Sequence, residues 1–138
     1  MNVSARVENS AGRHQVTLRT NEHVYDLSLP PRPTGFGSGV NGGELLFLAL
    51  ATCYCNDVYR EATRRGLRVD RVEVEVSGEF GAEGEPARNV TYRVRVAGQG
   101  SENELRELLH HTDRVAEIQN TLRAGVPVTL AEVKVEGA

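Results

Sequence analysis

The stretch Asn41–Tyr59 reads NGGELLFLALATCYCNDVY and carries both cysteines of the chain. From Leu45 to Cys55 the only polar residue is Thr52. A surface helix keeps a polar side, so a helix that is apolar all round has to be covered, inside the domain or by a second copy. Asn41 suits an N-cap, and Glu44 three residues on completes a capping-box pattern, with Asn where Ser or Thr is usual. The helix is expected to run to about Arg65, with Gly66 as its C-terminal glycine. Its charged second half, Asn56–Arg65, is expected to emerge into water.

Around this helix the patterns are mostly those of strands. Val3, Ala5 and Val7 alternate with polar residues, as do Val16 and Leu18, then Tyr25, Leu27 and Leu29. Turn signals separate these three short strands at Ser10-Ala11-Gly12 and Thr20-Asn21-Glu22. Pro30–Gly39 is too rich in proline and glycine for a helix or a central strand. Val72, Val74 and Val76 alternate with Arg71, Glu73 and Glu75; Val90, Tyr92, Val94 and Val96 alternate with Thr91, Arg93 and Arg95. That is a hairpin whose acidic outer face meets a basic one, at roughly 0.2–1 kcal/mol per pair. Ser101 and Glu104 form a second capping box before Leu105, Leu108 and Leu109. Val115, Ile118 and Leu122 mark a short helix ended by Gly125 and Pro127. Val128, Leu130, Val133 and Val135 read as a last strand. The order βββ-α-ββ-αα-β predicts an α+β fold with mostly antiparallel sheet around a long buried central helix.

The 138 residues suit a single domain, 1–138. A net charge of −3 and a pI near 5.8 leave no footprint for nucleic acid. No apolar run approaches the roughly 18 residues of a membrane span. The start Met1–Arg6 lacks the apolar stretch of a signal peptide, so a cytoplasmic location is expected. Gly37–Gly42 matches G-x-G-x-x-G, but no strand feeds it and no βαβ unit follows. The glycines are better read as a mobile loop over a pocket. No zinc-ligand spacing is present, and no metal or cofactor is expected.

The thiols are the chemical candidates. Two residues apart on a helix, Cys53 and Cys55 point about 160° away from each other. They can neither join in a disulfide nor clamp one metal. Cys53 lies about 18 Å along the axis from the N-cap, beyond the reach of the helix dipole. Asp57, four residues on, disfavours its thiolate. Activation would therefore fall to an arginine elsewhere in the fold or on a partner chain, with Arg13 and Arg32 as candidates. Otherwise both cysteines are small buried hydrophobes. Glu61 and Arg65 fit an ordinary i,i+4 pair.

Asn41–Cys53 resembles the OsmC/Ohr family of osmotically inducible and organic-hydroperoxide-resistance proteins. That family starts a long apolar helix with Asn-Pro-Glu-x-Leu; here the start is Asn41-Gly42-Gly43-Glu44-Leu45. Ala51-Thr52-Cys53-Tyr54 stands at the family's Ala-x-Cys-aromatic position. The resemblance implies an intertwined homodimer with the cysteine helices at its centre, and thiol-based reduction of a small organic hydroperoxide. Cys53 takes the peroxidatic position. The family's glutamate falls on Gly43, with Glu44 one place later, about 100° round the helix. Its arginine corresponds to Arg32 or Arg13, and its resolving cysteine to Ala116.

So degenerate a site would depend on an external thiol reductant to escape overoxidation of Cys53. The alternatives are a non-catalytic homodimer that binds a small apolar ligand in an interfacial pocket, and a purely structural dimer.

Overall fold

The computed structural model describes residues 1–137. It divides into two compact units, Met1–Leu46 and the chain from Phe47 onward. The first holds an antiparallel meander of β1 (Val3–Ser10), β2 (Arg13–Thr20) and β3 (His23–Asp26). Gly12 and Asn21 sit in the tight turns with φ of 70° and 52°, a conformation that glycine and asparagine tolerate best. The alternating apolar residues face one another across the ladder, Val7 opposite Val16 and Leu18 opposite Tyr25. The proline-rich loop is pinned by Gly39 N–H donating to Pro30 O (2.8 Å) and by one isolated bridge, Pro31 to Ser38.

Helix α1 (Gly42–Arg64) begins in the first unit and forms most of its length in the second. Its cap is reciprocal: Glu44 N–H donates to Asn41 Oδ1 (2.8 Å) and Asn41 N–H to Glu44 Oε1 (3.0 Å). At the other end Gly66 turns left-handed (φ 66°) and Leu67 N–H reaches back to Ala62 O (2.9 Å), closing the last turn as a Schellman-type cap.

The hairpin β4 (Arg68–Glu79) and β5 (Arg88–Gln99) pairs Val72 with Val96, Val74 with Val94 and Val76 with Tyr92. On the other face Glu73 stands opposite Arg95 and Glu75 opposite Arg93 in register, while the ion pair that Glu73 makes is with Arg71 of its own strand, at 3.4 Å. Helix α2 (Glu102–Val115) opens on the Ser101–Glu104 capping box. Helix α3 (Glu117–Ala124) ends at left-handed Gly125.

The core is a helical stripe on α1, Tyr54, Val58 and Ala62, packed with Leu108 and Ala116 and flanked by Val72, Val74, Tyr92 and Val94. Residues four apart share a helix face, so one side of α1 meets the valine face of the hairpin. The Tyr54 hydroxyl donates to Leu109 O (2.7 Å), which removes the cost of burying a phenol.

The α+β class and the antiparallel sheets agree with the sequence reading. Two expectations need correction. Residues 128–135 form no strand: Val128, Leu130, Val133 and Val135 are exposed and unpaired. An alternating segment becomes a strand only when a sheet edge is offered to it. In a single chain Leu48, Thr52 and Tyr59 of α1 stay exposed, on the side that the sequence reading leaves for a second copy. The charged half of α1 does not simply emerge into water either, because Asp57 and Glu61 are buried beside Val58 and Ala62. No helix among the described residues is long and apolar enough to cross a membrane.

Gly98 tests the packing of the hairpin. A Cβ there would collide with Arg68 O and lie 3.1 Å from Val69 Cα, both backbone atoms that cannot swing away. Gly98→Ala is expected to destabilise by about 1–3 kcal/mol in urea denaturation. Gly42→Ala, with nothing within 4 Å of the added carbon, should be neutral or slightly stabilising.

Candidate functional site

Cys53 and Asp57 are one helical turn apart on α1 and share a face. The Cys53 Sγ lies 3.6 Å from Asp57 Oδ2 and 3.7 Å from Glu117 Oε2. Glu117 opens α3 immediately after Ala116, the extended residue (φ −71°, ψ 114°) at which α2 stops and α3 starts. The Ile118 backbone N–H, in that same first turn, favours the charged form of the sulfur. The thiol is only half-buried, so reagents can reach it.

Arg60 ties the acids together. Its Nη1 lies 3.1 Å from Asp57 Oδ1 and 2.8 Å from Glu117 Oε1, and its Nε lies 3.0 Å from Glu61 Oε2. Buried Glu61 also takes Arg64 Nη1 at 2.9 Å and His111 Nε2 at 2.8 Å. Its arginine partners are thus Arg60 and Arg64 in place of the expected Arg65. A buried carboxylate needs this many partners to stay charged.

The field at the sulfur follows from these positions. Burial pushes the Cys53 thiol up from its ordinary value; the Ile118 N–H opposes this, and the Asp57 and Glu117 charges add to it. Burial, then Glu117, raises Asp57 to about 6. Glu117 is held down at about 2, first by the proton that Asp57 shares with it and then by Arg60. The site thus keeps Cys53 as a thiol with a carboxylate acceptor in contact. Cys53, Asp57 and Glu117 each offer a donor atom within 4.8 Å of the others. A cation there would have to compete with Arg60 for both carboxylates.

Glu44, Arg32 and Arg13, also singled out in the sequence, lie in the 1–46 unit and have local roles there. Glu44 is spent on capping α1. Exposed Arg32 lies along Gly37, its Nε donating to Ser38 O at 3.4 Å. Arg13 is exposed at the start of β2. Cys55 looks away from the acids into a surface pocket of about 250 Å³ lined with Ala51, Thr52, Asn56 and Val74. Arg60 and Glu117 were missed from sequence. Arg60 was findable, since Cys53, Asp57 and Arg60 follow helical spacing; Glu117 comes from across the fold.

The family profile described as OsmC-like protein matches residues 35–131.

The chain belongs to the OsmC-like family.

Solved structures share its fold at low identity. An OsmC-like protein from Mycoplasma pneumoniae aligns with a TM-score of 0.60 and 18% identity, covering 89% of each chain. An organic hydroperoxide resistance protein OsmC from Legionella pneumophila aligns at 0.56 and 20%, covering 89% of this chain and 90% of its own. The organic hydroperoxide resistance protein OhrB of Bacillus subtilis aligns at 0.51 and 18%, covering 87% and 90%. No curated protein matches the sequence.

Arg60→Ala tests the role of the guanidinium. A carboxyl held below its ordinary value stabilises the fold above that value and loses the contribution as it is protonated. For Glu117 the loss falls between its ordinary 4.5 and about 2. Asp57 has the opposite sign: its raised value makes ionisation above about 6 a cost, and Arg60 lessens that cost. The variant should therefore melt well below the parent at pH 7, and the gap should close as the pH falls below about 4.5, the ordinary carboxyl range. Thermal melts across pH read this directly.

Proposed function

We propose that this OsmC-like chain reduces small organic hydroperoxides in a one-cysteine cycle, with Cys53 as the nucleophile. The sulfur attacks the terminal peroxide oxygen, alcohol leaves, and Cys53 becomes a sulfenic acid. Two equivalents of an external thiol then return it to the thiol, releasing water and a disulfide. The observation that carries this reading is a half-buried thiol in contact with a hydrogen-bond acceptor, Asp57 Oδ2 at 3.6 Å. Ala116, where the family resemblance places a resolving cysteine, has no sulfur, and Cys55 looks elsewhere. The reductant therefore comes from outside the chain. Arg32 or Arg13, from this chain or a second copy, stays in the proposal as the arginine that activates the thiol.

An intertwined homodimer belongs to the same proposal. Leu48 and Tyr59 on α1, and the unpaired Val128, Leu130, Val133 and Val135, are apolar surface that a second copy would cover. A cytoplasmic setting, with its reduced thiol pool, completes it.

A second reading rests on the raised Cys53 thiol, which makes a slow nucleophile at neutral pH. In that case the chain is a non-catalytic dimer holding a small apolar ligand, with the pocket beside Cys55 as the place to look.

Cumene hydroperoxide supplied with excess dithiothreitol separates the two. Catalytic peroxide loss is expected with the parent and with Cys55→Ser, and none above background with Cys53→Ser. Mass spectrometry without reductant should place one added oxygen on the Cys53 peptide. A parent protein no faster than buffer and thiol alone would leave the ligand-binding reading. Sedimentation tests the dimer separately, with twice the chain mass expected.

A further inference from the structure

We propose that Asp57 is the general base and acid of the Cys53 reaction, held in place by Arg60 and Glu117. This deepens the hydroperoxide reading and rests on it. The usual way to make a cysteine reactive is to ionise it beforehand with a nearby cation. The surroundings of Cys53 do the reverse. Its sulfur touches two carboxylate oxygens, Asp57 Oδ2 at 3.6 Å and Glu117 Oε2 at 3.7 Å, while the nearby guanidinium is engaged with the far oxygens, Asp57 Oδ1 and Glu117 Oε1. That leaves one oxygen of each acid turned to the thiol and the other fixed by Arg60. Such a site starts from S–H and removes the proton as the sulfur attacks.

The S–H bond breaks and its proton passes to Asp57 Oδ2. The sulfur electron pair forms a bond to the terminal oxygen of the hydroperoxide, and the O–O bond breaks. The alkoxide that leaves takes the proton from Asp57 and departs as alcohol. Sulfur loses two electrons, the peroxide gains two, and Asp57 ends as it began. Arg60 is a positioning residue. Glu117 is the second acceptor and sets the proton affinity of Asp57.

The groups facing Asp57 are Cys53 and Arg60 on α1 and Glu117 on α3, with Glu61 and, beyond it, His111 of α2 on the far side of Arg60. An Asp57 value of about 6 lies well below the ordinary thiol range of roughly 8.5. The two routes to reaction therefore have different pH profiles.

Two rates are measured on the parent, Asp57→Asn and Glu117→Gln: iodoacetamide alkylation of Cys53, and oxidation of Cys53 by cumene hydroperoxide. The proposal expects them to move in opposite directions in Asp57→Asn. Removing the negative neighbour eases thiolate formation, so alkylation at neutral pH rises severalfold. Loss of the base lowers peroxide oxidation by roughly tenfold or more. In the parent, peroxide oxidation should rise through about pH 6 and level off before the thiol ionises; in Asp57→Asn it should follow thiol ionisation. Glu117→Gln, which keeps the base, should retain the early rise in pH profile.

If both rates rise together in Asp57→Asn, or the parent's peroxide rate tracks thiolate at every pH, Asp57 is only a brake on the thiol and the proposal fails while the peroxide reading stands. A parent thiol that peroxide does not oxidise at any pH overturns both.

Discussion

The contact between one face of α1 and the valine face of the β4–β5 hairpin governs the rest of the 47–138 unit. Tyr54, Val58 and Ala62 fall in line because residues four apart share a helix face. With that stripe turned inward, Cys53 and Asp57 have to lie along one border of it and Cys55 along the other. Leu108 of α2 and Ala116 at the α2–α3 junction seal the stripe. The junction in turn sets Glu117 and the Ile118 N–H against the sulfur. The chemistry of the thiol thus follows from hydrophobic packing.

The same packing forces two acids of α1 inside. Asp57 and Glu61 are almost fully buried, which would cost several kcal/mol for an unpaired charge. Arg60 offsets that cost for both by reaching along the helix, and it adds Glu117 from α3. One guanidinium with donors on several sides can do this; an ammonium offers a single point of charge. The result is a polar seam beside an apolar core, with the thiol at its edge.

Much of this was legible in the sequence because the deciding signals are local. The caps at Asn41–Glu44, Gly66 and Ser101–Glu104 depend on a few neighbouring residues, and each appears where the pattern places it. The hairpin was legible because its strands carry opposite charges and matching valines. Asp57 as an influence on Cys53 followed from helical spacing alone. What could not be read was what the fold brings from afar. Glu117 is 64 residues from Cys53 in sequence, and nothing in its local composition marks it. Asp57 and Glu61 look like a solvated helix face until the packing of α2 and α3 shows that the face is inside. The segment 128–135 has the alternation of a strand, yet alternation states only a preference that an edge must satisfy.

The outer face of the hairpin has a bearing on how copies of this chain meet. Glutamates line β4 and arginines line β5, in register as Glu73 with Arg95 and Glu75 with Arg93. Two molecules that laid β4 against β4 would confront acid with acid, and β5 against β5 would confront base with base. Like charges directly opposite are unfavourable, so the ladder discourages each strand from joining its own twin in a fibre. Such guarding is one of the ways in which sheets keep an exposed border from recruiting neighbours.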